Sequence, residues 1–248
     1  MADLAEIQFL AKRKKEIIDN CPECHGRDLG CACYKSYRVE LRKMDSGMPR
    51  KFWNYQLPDP KTVSLDRLRV VLGKLQAYTI DLKANLENGV GLFMYGPSGT
   101  GKSALACSIL CKYFELGATG TFQEFERYIT TSLHSREDYR IYDEIKTDLH
   151  EVPILVLDNI GYEGVQSIKW MAATIATNFE ALLRHRSNFL KPTIITTSHE
   201  DLKFFAQAYG ECVLSLLTEK NVLLNMTGLP DFRKENGCAQ KKTTIKSK

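Results

Sequence analysis

Residues 90–103 read Val90-Gly91-Leu92-Phe93-Met94-Tyr95-Gly96-Pro97-Ser98-Gly99-Thr100-Gly101-Lys102-Ser103, and this stretch decides the fold. It opens with a short apolar run bounded by glycine, the pattern of a buried strand. It closes on G-x-x-x-x-G-K-[ST], the phosphate-binding Walker A pattern. Glycines let backbone N–H groups curl around phosphate oxygens without side-chain clashes. The helix expected next, over Lys102–Leu116, points its positive end at the same anion. Lys102 would supply a point charge to the β- and γ-phosphates, and Ser103 a hydroxyl to Mg²⁺. The candidate nucleotide-binding residues are therefore Gly96, Pro97, Ser98, Gly99, Thr100, Gly101, Lys102 and Ser103. A glycine-rich turn without a ligand is the plain alternative, and the order strand, loop, amphipathic helix argues against it.

A phosphate loop of this kind needs an acid at the tip of a neighbouring strand to hold the Mg²⁺ shell. Ile154-Leu155-Val156-Leu157-Asp158 offers four apolar residues and then a carboxylate, at the edge of a parallel sheet where ligands collect. The alternative for Asp158 is a helix cap after a strand. Many related ATPases place a second acid directly afterwards, to polarise the attacking water. Here that residue is Asn159, whose amide orients water but accepts no proton. Slow hydrolysis, or hydrolysis that needs a partner, is the expectation. Glu163 is near in sequence, with nothing to place it in the site. A third apolar run, Thr193-Ile194-Ile195-Thr196-Thr197, ends in Ser198-His199. Ser198 is the candidate contact to the γ-phosphate or its water, against the alternative of a serine that ends a strand. The candidate catalytic residues are thus Lys102, Asp158, Asn159 and Ser198, with Ser103 and Asp158 as the Mg²⁺ set.

Outward from this centre the chain alternates in period. Leu65, Leu68, Val71, Leu72, Leu75 and Tyr78 predict a helix from about residue 63, with Ser64 as N-cap and an end near Asn88-Gly89. Residues 118–125 are strand-like, 126–149 helical but polar, 166–190 a long helix, 201–219 helical and 222–226 a strand. Apolar strands alternating with helices imply a parallel sheet covered on both faces. Residues 4–18 carry apolar positions at near-helical spacing. Residues 43–62 form a polar connector containing Gly47, Pro49, Pro58 and Pro60. Within it, Met48-Pro49-Arg50-Lys51-Phe52-Trp53-Asn54-Tyr55 mixes bases with aromatics. Stacking on nucleobases and packing against the neighbouring body, beside the adenine, are both open to it.

The 248 residues, 44% hydrophobic and 26% charged, exclude collagen-like, low-complexity and wholly disordered chains. The formal net charge of +4 permits contact with nucleic acid without arguing for it. No apolar run approaches the length of a membrane span, and the N-terminus has neither the order nor the apolar stretch of a secretory signal. The protein is expected to be cytoplasmic, with no membrane partner and with its eight cysteines outside disulfides. Four of these, Cys21, Cys24, Cys31 and Cys33, form C-x2-C-x6-C-x-C. Four thiolates so close together suit one tetrahedral Zn²⁺, with a structural role because so short a segment has little core of its own. His25 in place of one thiol, a labile iron–sulfur cluster and unligated thiols are the alternatives.

These motifs together resemble the DnaC/DnaI-type replicative-helicase loaders, a branch of the AAA+ ATPases close to DnaA and to the IstB transposition helpers. The resemblance runs from about residue 45 to 233. It rests on Gly47–Asn54, Gly96–Ser103, Ile154–Gly161 (ILVLDNIG), Lys191–Ser198 (KPTIITTS) and the closing Asp231-Phe232-Arg233. It implies an α/β fold: an AAA+ P-loop domain with a parallel sheet flanked by helices, preceded by a small helical, zinc-binding N-terminal module. The implied division is residues 1–45 as that helicase-binding module, 46–62 as linker, 63–235 as the ATPase domain and 236–248 as a disordered basic tail. The resemblance further implies ATP, Mg²⁺ and Zn²⁺ as cofactors. Its implied partners are a hexameric DnaB-type helicase, single-stranded DNA and other copies of the chain through the AAA+ domain. Members carry an arginine that senses the neighbour's nucleotide. Here Leu216 stands in Val213–Leu217 where that arginine is expected, leaving Arg184 or Arg186 as substitutes or as solvated surface residues. Other readings are an IstB-like transposition ATPase, and a weakly hydrolysing scaffold or inhibitor of helicase from a phage or mobile element. A metabolic P-loop kinase lacks any recognisable acceptor site.

Overall fold

The computed structural model describes residues 4–134, 148–161 and 172–234. Among the described residues five strands form, four of them on short apolar runs and the second on a strand-like but more polar stretch: β1 Gly91–Tyr95, β2 Gly120–Glu124, β3 Ile154–Ile160, β4 Thr193–Thr197 and β5 Asn221–Asn225. They make one sheet in the order β2-β3-β4-β1-β5, with every pairing parallel. From β1 the chain crosses to the far edge, returns inward through β3 and β4, and ends on the other side of β1. The sense of the crossovers therefore reverses at β1, which makes its carboxyl end the place for a ligand.

Because the sheet is covered on both faces, alternate residues of one strand enter two different cores. Helices α3 (Asp66–Ile80) and α5 (Lys102–Glu115) cover one face, where Leu92, Met94, Phe122, Val156, Ile194 and Leu224 point. Between them in sequence lies the short α4 (Leu82–Glu87). The other face takes Phe93, Leu155, Leu157 and Ile195. It is covered by α6 (Phe125–His134), α7 (Ala172–Asn188), α8 (Leu202–Tyr209) and α9 (Glu211–Lys220). Helix α5 is buried almost all round, as a helix between a sheet and a further layer must be.

That further layer comes from the N-terminal part. Helix α1 (Leu4–Lys14) runs into one π turn at Lys15–Asp19, and α2 spans Ala32–Asp45. Helix α2 carries no helical expectation in the sequence and is strongly polar. Tertiary contact sustains it: Arg42 Nη1 donates to Phe114 O at the end of α5 (3.2 Å). Just beyond α2, the backbone N–H of Phe122 in β2 donates to Ser46 O at 2.7 Å. The connector is packed rather than loose. Met48 and Trp53 belong to the α5-side core, Trp53 Nε1 donates to Met48 O, and Phe9 meets Trp53 edge-on at 5.7 Å.

Several boundaries differ from expectation for local reasons. The helix expected from residue 63 begins at Asp66 with Leu65, not Ser64, at its N-cap, and it breaks at Asp81 into α3 and α4. The expected helix 201–219 is two helices, because Gly210 at φ 97° cannot continue an α-helix. The helix expected over 126–149 begins one residue earlier, at Phe125, and residues 135–147 lie outside the described residues, as do Glu163, 166–171 of the expected long helix, Cys238 and the basic tail. Among the described residues no helix is long and apolar enough to cross a membrane.

Candidate nucleotide site and cysteine centre

The loop Gly96–Gly101 joins β1 to the N-terminus of α5, so the strand–loop–helix order read from the sequence is the one observed. Three of its glycines, Gly96, Gly99 and Gly101, have positive φ. At Gly99 a Cβ would in addition overlap the carboxylate of Asp231. That aspartate belongs to the closing motif, which folds back over the loop: Phe232 N–H donates to Gly99 O at 3.0 Å. Arg233 thereby lines the same cavity as the loop.

Lys102 is 8% exposed. Its Nζ donates to Gly96 O at 2.7 Å and Pro97 O at 2.6 Å. Burial pulls its pKa down to about 8, with Arg233 adding to the pull and Asp158 and Glu200 opposing it. Asp158 is also buried, and accepts from Thr196 Oγ1 at 2.6 Å. The same Thr196 oxygen accepts from the Asn159 N–H at 2.9 Å. A register shift between Leu157 and Ile160 puts both Asp158 and Asn159 opposite the stretch of β4 around Thr196. Asn159 sits at φ 62°, a conformation asparagine tolerates better than most residues with a Cβ. Its side chain is exposed.

Ser98–Ser103, Asp158, Asn159 and Ser198 line one cavity of about 880 Å³. Gly96 and Pro97 are not among its lining residues; their carbonyls accept from Lys102. Thr196, not singled out from the sequence, is the polar residue of β4 in contact with Asp158, while Ser198 lines the cavity beyond it. Strand alternation carried the signal: Ile194 and Thr196 share the face of Val156 and Asp158. The apolar wall was partly legible. Pro49, Phe52, Tyr55, Leu68 and Leu72 line it, so the connector aromatics meet the cavity through Phe52 and Tyr55 and the core through Trp53. The arrangement suits a nucleoside triphosphate: anion-directed N–H groups and a cation at one end, an acid and hydroxyl for a divalent metal, and an apolar slot for a base.

Neither arginine proposed as a trans-acting group is at this edge. Arg184 is half-exposed and pairs with Glu180 at 2.6 Å. Arg186 is a correction to both readings offered for it. It is 1% exposed and is held at the opposite, amino-terminal edge of the sheet. Its donors reach Thr193 Oγ1 and the carbonyls of Leu149, Val152 and Pro192 at 2.8–2.9 Å, with His150 and Pro153 at 3.3–3.4 Å. Leu216 is partly buried against the α7-side core.

The four clustered cysteines also converge. All four Sγ atoms lie within 4.8 Å of one another; Cys21 and Cys31 are 3.8 Å apart and Cys24 and Cys33 3.3 Å. A tetrahedron with Zn–S bonds of about 2.3 Å has edges of about 3.8 Å, so the donor set fits zinc, and His25 is not part of it. Positive φ at His25 and Gly26 turns the chain between the two pairs. Burial opposes ionisation of Cys24. Backbone N–H groups of Asp28 and Gly26 and the thiols of Cys33 and Cys21 outweigh it, holding its pKa at about 6. Burial and its crowded sulfur neighbours push Cys33 up. The protein as purified should carry about one zinc per chain. The pair Cys21→Ser and Cys24→Ser should carry none by metal analysis, while α5 and the sheet remain folded. Iron in the wild type, or zinc retained by the double variant, would contradict the assignment.

No family model matches the chain. The crystal structure of the DnaC helicase loader is similar to it with a TM-score of 0.58 and 30% identity, covering 71% of this chain and 98% of that one. The crystal structure of DnaI gives 0.56 at 19% identity, over 74% of this chain and 94% of that one. The replication initiator DnaA bound to AMPPCP and single-stranded DNA gives 0.54 at 14%, over 71% and 50%. These last two are likenesses of fold. An "Insertion sequence IS21 putative ATP-binding protein" of Pseudomonas aeruginosa is 28% identical over 146 residues, 59% of this chain and 52% of that protein. The chain thus spans about half the length of that curated relative.

Proposed function

From a chain that belongs to the DnaC/IstB-like family of AAA+ ATPases, we propose an ATP-dependent loader of a hexameric DnaB-type replicative helicase, which places the ring on single-stranded DNA. Residues 1–45 are the helicase-gripping module and 63–235 the ATPase, which packs side by side with other copies. Ser103 and Asp158 would hold Mg²⁺, Lys102 and the loop N–H groups would bind the phosphates, and Ser198 would contact the γ-phosphate or its water.

The observation that carries the reading is how the cysteine module is seated. Helix α2 leads from the cysteines to Arg42, which bonds the far end of α5. The near end of α5 is the phosphate loop, and the connector after α2 walls the nucleotide cavity. A module fixed to one side of a nucleotide site is positioned to make partner binding depend on nucleotide, and binding alone suffices for such a switch. The match to DnaC over nearly the whole of that chain supports the same partner class.

Co-purification with a DnaB-type helicase tests it, with ATP, with ADP and with neither. A complex that needs ATP and is lost in the Cys21→Ser, Cys24→Ser variant is the expected result. A complex indifferent to nucleotide would mark a passive helicase scaffold or inhibitor. If no complex forms in any condition, the loader reading falls. The second reading, a transposition ATPase acting on duplex DNA with a transposase, is favoured by the similarity to the IS21 protein.

A further inference from the structure

Asn159 stands where an acid is expected, yet the cavity is not short of carboxylates. Glu124 ends β2, and its Cα is the register partner of Asp158 in β3. Both lie two residues beyond a residue of the α5-side core, Phe122 in β2 and Val156 in β3. Side chains alternate along a strand, and register partners in a parallel pair share a face. Glu124 and Asp158 therefore emerge side by side on the α5 face of the sheet, at the carboxyl edge, and both line the nucleotide cavity. The two have different environments. Asp158 is buried and held by the Thr196 hydroxyl, as suits a fixed metal ligand. Glu124 is exposed, free to meet a water at the cavity mouth.

We propose that Glu124 is the catalytic base for ATP hydrolysis in this chain, with Asn159 beside it orienting the same water; this rests on the reading of the cavity as an ATP site. The exchange is balanced by the water alone. Glu124 takes a proton from the water as its oxygen bonds the γ-phosphorus. The bond from the γ-phosphorus to the β,γ-bridging oxygen breaks, and ADP and phosphate leave. The proton on Glu124 then returns to solvent. An acid on β2 and an amide on β3 do together what other chains of this kind assign to one acid on β3. The bulge at Asn159 explains the split: at φ 62° asparagine is a favoured residue and glutamate is not.

The test is single-turnover hydrolysis of ATP by the full chain, paired with direct ATP binding and thermal melting, for the wild type and Glu124→Gln. Because Glu124 is exposed, the variant should melt with the wild type. Its ATP affinity should be unchanged within about twofold and its hydrolysis should fall by about 100-fold or more, the usual worth of a positioned base. A packing role would move affinity and melting temperature together with the rate, and here only the rate should move. Hydrolysis by Glu124→Gln within about threefold of wild type, or a wild type that binds ATP without turning it over, overturns the proposal. A wild type that does not bind ATP instead removes the ATP-site reading, and this base with it.

Discussion

Arg186→Met is expected to lower the unfolding free energy by about 4 kcal/mol and the melting temperature by roughly 10 °C. The guanidinium is buried at the amino-terminal edge of the sheet, where the chain enters β3 and β4. The bonds it makes there to the carbonyls of Leu149 and Pro192 are buried, and those to His150, Val152 and Pro153 part-buried. Arg186 satisfies those of Leu149, Val152 and Pro192 with short bonds and those of His150 and Pro153 with longer ones. Methionine fills a similar volume and donates nothing, so several buried acceptors lose their partners at once. Each unsatisfied group costs about 1–3 kcal/mol, partly recovered by relaxation. Arg186→Lys should fall between, since an ammonium reaches fewer of these carbonyls than a planar fork. Thermal and urea unfolding measure both. A melting temperature for Arg186→Met within about 3 °C of wild type would mean that water or a backbone shift replaces the arginine.

Lys102→Ala should weaken ATP binding by about 100-fold, since two charge-assisted contacts to phosphate at about 1.5 kcal/mol each are lost and every 1.4 kcal/mol is tenfold. Nucleotide-dependent assembly should vanish with it. The wild type carries its own internal check through pH. Burial holds Lys102 at about 8, while a triphosphate favours the ammonium form and raises that value. Below pH 8 the group is already charged and binding takes up no proton. Above pH 8 a proton must be bound with the nucleotide, and affinity falls by up to tenfold per pH unit. Lys102→Ala should show no such decline. Titration calorimetry at pH 7, 8 and 9 reads both effects, and equal affinities for wild type and variant would remove Lys102 from the site.

What could be read in advance was whatever depends on short stretches of chain. The loop 96–103 declares itself because each of its residue types answers a local demand: glycine for positive φ, lysine for charge, serine for a metal. The strand ending in Asp158 is legible because a parallel strand buried on both faces must be apolar, so one terminal acid stands out. The cysteines announced a tetrahedral centre because ligand spacing within 13 residues nearly forces convergence. Those stretches by themselves also carried the α/β class and the family.

Tertiary structure decided everything that depends on which distant residues share a face. Helix α2 is too polar to be seen as a helix without α5 to lie on. Arg186 reads as a surface residue until the ends of β3 and β4 arrive around it with a cluster of carbonyls that its guanidinium bonds. Thr196 and Glu124 become neighbours of Asp158 only through strand register, which is set by hydrogen bonds between segments more than thirty residues apart. Local sequence specifies what a residue is able to do. The packing of strands against one another specifies where it is able to do it, because burial and register are properties of the whole sheet and of no single strand.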